Sequence, residues 1–137
     1  MSVPFTGGCH CGALRYECTA EPLNTVHCFC TDCQKLTTTQ MSTNLLMARA
    51  AFRITKGTPA TYRTKGDSGK HVTRSFCVTC GCPICSEPEI MPDMVVVKAG
   101  SLDDISWIEP KASIYTDSAP PWAVIPGGIP RFPKMPG

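Results

Sequence analysis

The sequence predicts a mainly β protein, a small fold of short antiparallel strands with little helix, braced by metal rather than by a large core. Three observations carry that expectation. Short segments with two-residue alternation sit between Gly and Pro turn signals, and almost no segment shows the 3.6-residue apolar period of a helix. Ten cysteines in 137 residues are crowded into three stretches, 9–18, 28–33 and 77–85, and clustered cysteines at short spacing favour metal ligation.

Taken in order, Ala13–Cys18 places Leu14, Tyr16 and Cys18 on one face and Ala13, Arg15 and Glu17 on the other, the pattern of a half-buried strand. Phe52–Thr55 and Thr61–Thr64 flank Lys56-Gly57-Thr58-Pro59 and read as a hairpin. Val72–Phe76 is a strand running into the third cysteine cluster, and the Val-rich Met94–Ala99 is a buried strand. Helix is confined to two single turns. One begins after Thr31, in T-D-C-Q-K, and one after Ser101, where Ser-Leu-Asp-Asp resembles a capping box. The chain reads as one domain over 1–137, its end from about residue 119 an irregular strap thick with Pro and Gly. Trp122 and Phe132 are the residues available to pin that strap.

Charge and hydropathy narrow the function. Thirteen Lys+Arg against 11 Asp+Glu give a formal net charge of +2. No Lys/Arg run tracks phosphates, so no nucleic-acid partner is expected. No apolar stretch approaches the ~20 residues that span a bilayer, so no membrane is expected either. The N-terminal MSVPFTGGCH lacks a secretory signal, which points to the cytoplasm, where thiols stay reduced. The expected partner is a small molecule; the oligomeric state is not written in the sequence.

The cysteines sort into two groups. Cys9-x-Cys11 and Cys77-x-x-Cys80-Gly81 are two short chelating loops that together supply four thiolates, a closed structural zinc site, with Gly12 and Gly81 letting the backbone double back under the metal. Cys28, Cys30 and Cys33 offer three thiolates from one loop. Three protein ligands leave a fourth position for water or substrate, the arrangement of a catalytic zinc. Cys18, Cys82, Cys85 and His27 are the residues that would close it instead.

The order G-G-C-H-C-G-A-L-R-Y at 7–16, C-x-C-T-D-C-Q-K at 28–35 and F-C-x-x-C-G at 76–81, with Pro121-Trp122 near the end, resembles the glutathione-dependent formaldehyde-activating enzyme family, whose domain is shared with centromere protein V. The resemblance implies a β-rich tent fold with two zinc ions per chain. It puts a structural zinc on Cys9, Cys11, Cys77 and Cys80, and a second, with substrate access, on Cys28, Cys30 and Cys33. This chain departs from the family pattern at Phe29, where His is common, at Leu36-Thr37-Thr38-Thr39, and at Cys82 and Cys85. These changes spare the ligands and fall on the expected pocket wall. Phe29 in particular is expected to dry the pocket and disfavour formaldehyde.

The resulting expectation is a zinc-dependent carbon–sulfur lyase-like enzyme that handles a small aldehyde or a thiol adduct, with glutathione as a candidate co-substrate. Lys35, Arg63 and Lys65 are the candidates to receive a carboxylate of the tripeptide, against the plainer role of exposed charges. Asp32 is expected to order the metal loop by accepting backbone N–H bonds, and Trp122 to roof the pocket or anchor the strap. Two alternatives stay open. One is an enzyme of the same fold (lyase, dehydratase or isomerase) acting on another small organic molecule without glutathione. The other is a non-catalytic zinc-binding interaction module.

Overall fold

A computed structural model describes residues 2–136, with ten strands in two sheets and one α-helix. The smaller sheet has the order β1 (Phe5–Gly8), β2 (Arg15–Cys18), β5 (Phe52–Lys56). The larger contains β3 (Asn24–Cys28), β4 (Ser42–Ala48), β6 (Ala60–Lys65), β7 (His71–Phe76), β8 (Pro83–Pro88), β9 (Met94–Lys98) and β10 (Ala112–Ile114), in the spatial order β10-β3-β4-β9-β8-β7-β6. Every strand pair is antiparallel except β10 beside β3. The helix α1 spans Thr31–Thr37. The expected mainly β class with little helix therefore holds.

Two-residue alternation gives the seven-stranded sheet two different faces. Leu45 and Met47 of β4 and Val95 and Val97 of β9 are fully or almost fully buried, and they pack with Leu14, Tyr16 and Cys18 beneath the smaller sheet. Burial of each such large apolar side chain contributes about 1.5–3 kcal/mol. The alternate positions face the other way. Cross-strand pairing puts Cys28 opposite Ser42, Val26 opposite Asn44, Asn44 opposite Lys98, Leu46 opposite Val96, Val96 opposite Ser86, and Ser86 opposite Arg74. That second face is the floor of a cavity.

Three expectations change. Segments 52–56 and 60–65 are strands, but they do not form a hairpin: β5 pairs with β2, and β6 pairs with β7. The Gly57 turn, at φ +79°, carries the chain from one sheet to the other, and a Cβ there would stand 2.2 Å from the Ala13 carbonyl oxygen. No helix starts at Ser101. That residue instead ends a single 3-10 turn, Ala99–Ser101, and the capping groups have other partners. Ser101 Oγ donates to the Lys98 carbonyl at 2.7 Å and meets the Tyr16 hydroxyl, while Asp103 accepts from Thr6 and Arg15. In the strap, Phe132 packs beside Val26 and Ile114 and its N–H donates to the Ser113 carbonyl. Trp122 remains 70% exposed and pins nothing.

Candidate metal centre

The loops after β1 and β7 bring Cys9, Cys11, Cys77 and Cys80 together, with all four sulfurs within 4.8 Å of one another. Cys9 Sγ and Cys11 Sγ are 3.6 Å apart, and Cys11 Sγ and Cys77 Sγ 3.7 Å. A tetrahedron of sulfurs at zinc–thiolate bond length has edges of about 3.8 Å, so the donors fit that ion. Backbone N–H groups of Leu14 and Cys80 point at Cys9 and Cys77 sulfurs at 3.2 and 3.4 Å. Gly12 and Gly81 take the left-handed conformation, φ +83° and +76°, that such tight loops demand.

Cys28, Cys30 and Cys33 form a second group with sulfurs within 4.8 Å of one another. Cys28 ends β3, on the cavity face. Cys30 is the N-cap of α1 in an extended conformation, its sulfur accepting the Cys33 N–H at 3.2 Å, and the first helical turn returns Cys33 beside it. Hydrogen bonds from the Cys28 and Cys33 thiols, then the backbone N–H groups of Cys33 and Asp32, hold the Cys30 thiol far below the ordinary thiol range. The Cys28 and Cys33 thiols move the other way, so negative charge in the trio settles on the Cys30 sulfur.

Cys18, Cys82, Cys85 and His27 do not join this trio. Cys18 is sealed in the core, its thiol pushed up to about 12 chiefly by burial. Cys82 follows the four-cysteine knuckle and its thiol faces the Pro83 carbonyl at 3.6 Å. Cys85 borders the cavity from β8, but burial pushes its thiol up to about 11. His27 is buried, with Nδ1 2.9 Å from Thr43 Oγ1. The trio therefore has three protein donors among the described residues, and all three line a cavity of ≈ 930 Å³.

The sequence pattern of the glutathione-dependent formaldehyde-activating enzymes matches residues 4–118. The chain belongs to that family. A crystal structure of a Rhodobacter sphaeroides protein, solved in a structural genomics programme, aligns with a TM-score of 0.59 at 21% identity, covering 92% of this chain and 98% of that one. That likeness speaks to the fold.

In this formaldehyde-activating family member the remaining predicted residues divide sharply. Lys65 lines the cavity, whereas Lys35 and Arg63 do not, and Arg63 instead donates to Glu89 at 3.1 Å. Asp32 lines the cavity with its carboxylate 4.0 Å from Arg74; it is the Cys30 sulfur, not the Asp32 side chain, that caps the loop. Of the departures from the family pattern, Leu36, Thr37 and Cys85 are on the wall, whereas Thr38, Thr39 and Cys82 are not. Phe29 is not: its ring is wholly buried beside His27, with centroids 6.5 Å apart, so it does not dry the cavity. Trp122 does not roof it. The sequence reading missed Asn44, Arg74, Ser86 and Lys98, all on the cavity face of their strands. The available signal was Lys98 closing an otherwise apolar Val-rich strand. Among the described residues no helix is long and apolar enough to cross a membrane.

Proposed function

We propose that this chain is a carbon–sulfur lyase of the formaldehyde-activating type, holding two zinc ions and joining a thiol such as glutathione to a small aldehyde, or reversing that step. The observation that carries the reading is the three-cysteine cluster, without a fourth protein donor, opening into a cavity large enough for a tripeptide adduct. Cys28, Cys30 and Cys33 would hold the second zinc, which when bound supplies a soft, thiol-seeking fourth position.

The chain's own residues do the rest. Val26, Leu36, Leu46 and Val96 give the cavity apolar walls that limit water around the reacting carbon. Arg74, only 19% exposed, has its guanidinium steadied by a 2.6 Å hydrogen bond to Thr64 Oγ1. With the exposed Lys65 on the same cavity it offers two cations for the carboxylates of a tripeptide. In the forward direction the thiol sulfur bonds to the carbonyl carbon, the C=O π pair moves to oxygen, and oxygen gains the proton that the thiol loses. The cysteines must remain reduced for this, which favours a cytoplasmic setting.

Adduct formation between glutathione and either formaldehyde or a larger aldehyde, followed by NMR with reduced, zinc-replete protein, tests the proposal. Acceleration over the uncatalysed reaction, lost in Cys30→Ser, is expected. No acceleration with either aldehyde would sink it.

A further inference from the structure

Beside the three-cysteine cluster lies a cation that the zinc chemistry does not use. Lys98 ends the Val-rich β9 on the cavity face. Its ammonium donates to Ser42 Oγ at 2.9 Å and to Asn44 Oδ1 at 3.1 Å, and Ser42 in turn donates to Asn44 Oδ1 at 2.6 Å. Ser42 and Asn44 are 2% and 6% exposed, so this ring of three bonds is shielded from solvent and fixed in place. Ser42 is the direct cross-strand partner of Cys28, and directly paired residues stand about 4.5–5.5 Å apart. The Lys98 side chain thus lies along β4, and its partner Ser42 pairs with the strand end that carries the first thiol of the trio.

Both of its fixed partners are neutral. Among the described residues no carboxylate forms an ion pair with Lys98. An ammonium has three N–H donors, and two are occupied here. A cation beside Val26, Leu46 and Val96 has only cysteine sulfurs, Cys33 and Cys85, as nearby groups able to carry negative charge, and a ligand that brings an anionic oxygen would pair with its free N–H directly.

We propose that Lys98, clamped by Ser42 and Asn44, is an anion-recognising residue that selects ligands carrying a negatively charged oxygen close to the sulfur held at the three-cysteine cluster. This deepens the carbon–sulfur reading and rests on it. In that reaction the carbonyl oxygen becomes such an oxygen as the carbon–sulfur bond forms, and the free N–H of Lys98 is the donor placed to receive it. A small acid with a thiol one carbon from its carboxylate sets a stable anionic oxygen one bond farther from the sulfur than the adduct does, still within reach of a flexible lysine.

Calorimetric titration of the zinc-loaded protein with mercaptoacetate and with ethanethiol tests the assignment without turnover. The native protein should bind mercaptoacetate about tenfold or more tightly than ethanethiol, as a charge-assisted bond in a shielded site provides. Lys98→Met should erase the preference while leaving ethanethiol affinity, zinc content and melting temperature in place, and Lys98→Arg should keep part of it. Equal binding of the two thiols by the native protein, or a preference that survives in Lys98→Met, overturns the assignment while the thiol site stands. Loss of zinc from Lys98→Met, with the preference kept by the loaded fraction, makes Lys98 a counter-charge to the cysteines and equally overturns it. Binding of neither thiol removes the carbon–sulfur reading and this assignment together.

Discussion

The two cysteine groups use the same residue type at similar short spacing, yet they do opposite things to the chain. Cys11 and Cys77 meet across a separation of 66 residues, so the four-cysteine group ties the loop between β1 and β2 of the small sheet to the loop between β7 and β8 of the large one. Cys28, Cys30 and Cys33 come from one strand end and the first turn of α1. They link a segment only to itself. A metal at the first group would close a long loop and couple to folding; a metal at the second would add almost no cross-link, and its three protein donors would leave a fourth position for a ligand.

That contrast is broken or sharpened first by ligand loss. Cys80→Ser should remove folding free energy on the order of 10 kcal/mol, the scale of a structural zinc in a small domain, and abolish a cooperative melt. Cys30→Ser should cost about 1 kcal/mol or less, because Ser is itself a good N-cap for α1. Thermal denaturation of the two variants side by side checks both, and equal damage would erase the distinction.

Graded chelation comes next. A chelator should strip the three-cysteine group first, taking the zinc count from about two per chain to about one while the far-ultraviolet circular dichroism stays unchanged. Simultaneous loss of metal and structure would mean that both groups are structural.

A smaller effect is expected at Arg74, which shares β7 with the approach to the closed group but serves the cavity. Arg74→Gln should raise KM for glutathione about tenfold, the loss of one charge-assisted contact, and leave zinc content alone. An unchanged KM would remove Arg74 from the carboxylate site.

The smallest contrast is conformational. The closed group uses glycine where the backbone is left-handed, but α1, beside the open group, ends on Thr38 at φ +56°. Gly81→Ala should cost about 1 kcal/mol with no steric clash involved, since nothing lies within 4 Å of the added carbon. Thr38→Gly should gain about 0.5–1 kcal/mol. Denaturant titration resolves both signs.

The Cys9/Cys11 and Cys77/Cys80 pairs and the Cys28–Cys33 trio were legible in the sequence because short spacing fixes each of them locally, whereas the meeting of the first two pairs depends on the whole fold. Strand partnership was not legible. Phe52–Lys56 and Ala60–Lys65 look like two arms of a hairpin, and only the approach of Gly57 to Ala13 shows that the turn between them changes sheets. β3 and β10 escaped notice because Thr25, His27 and Ser113 are polar residues at buried positions, which blurs the two-residue period. β8 begins and ends with proline, which masks the buried run Ile84, Cys85 and Ser86 between them. The cavity is a property of pairing register, so Asn44, Arg74, Ser86 and Lys98 could be assigned to one face only once the strands were set side by side. The Ser101 segment misled for a different reason: its capping side chains are engaged by Tyr16, Arg15 and Thr6, far away in sequence.

The central claim, one closed and one open metal centre in the same small chain, is tested most directly by cadmium-113 NMR of the fully exchanged protein. Two resonances of equal intensity are predicted, and added glutathione should shift one of them and leave the other where it was. A single resonance, or two that both ignore the thiol, would contradict it.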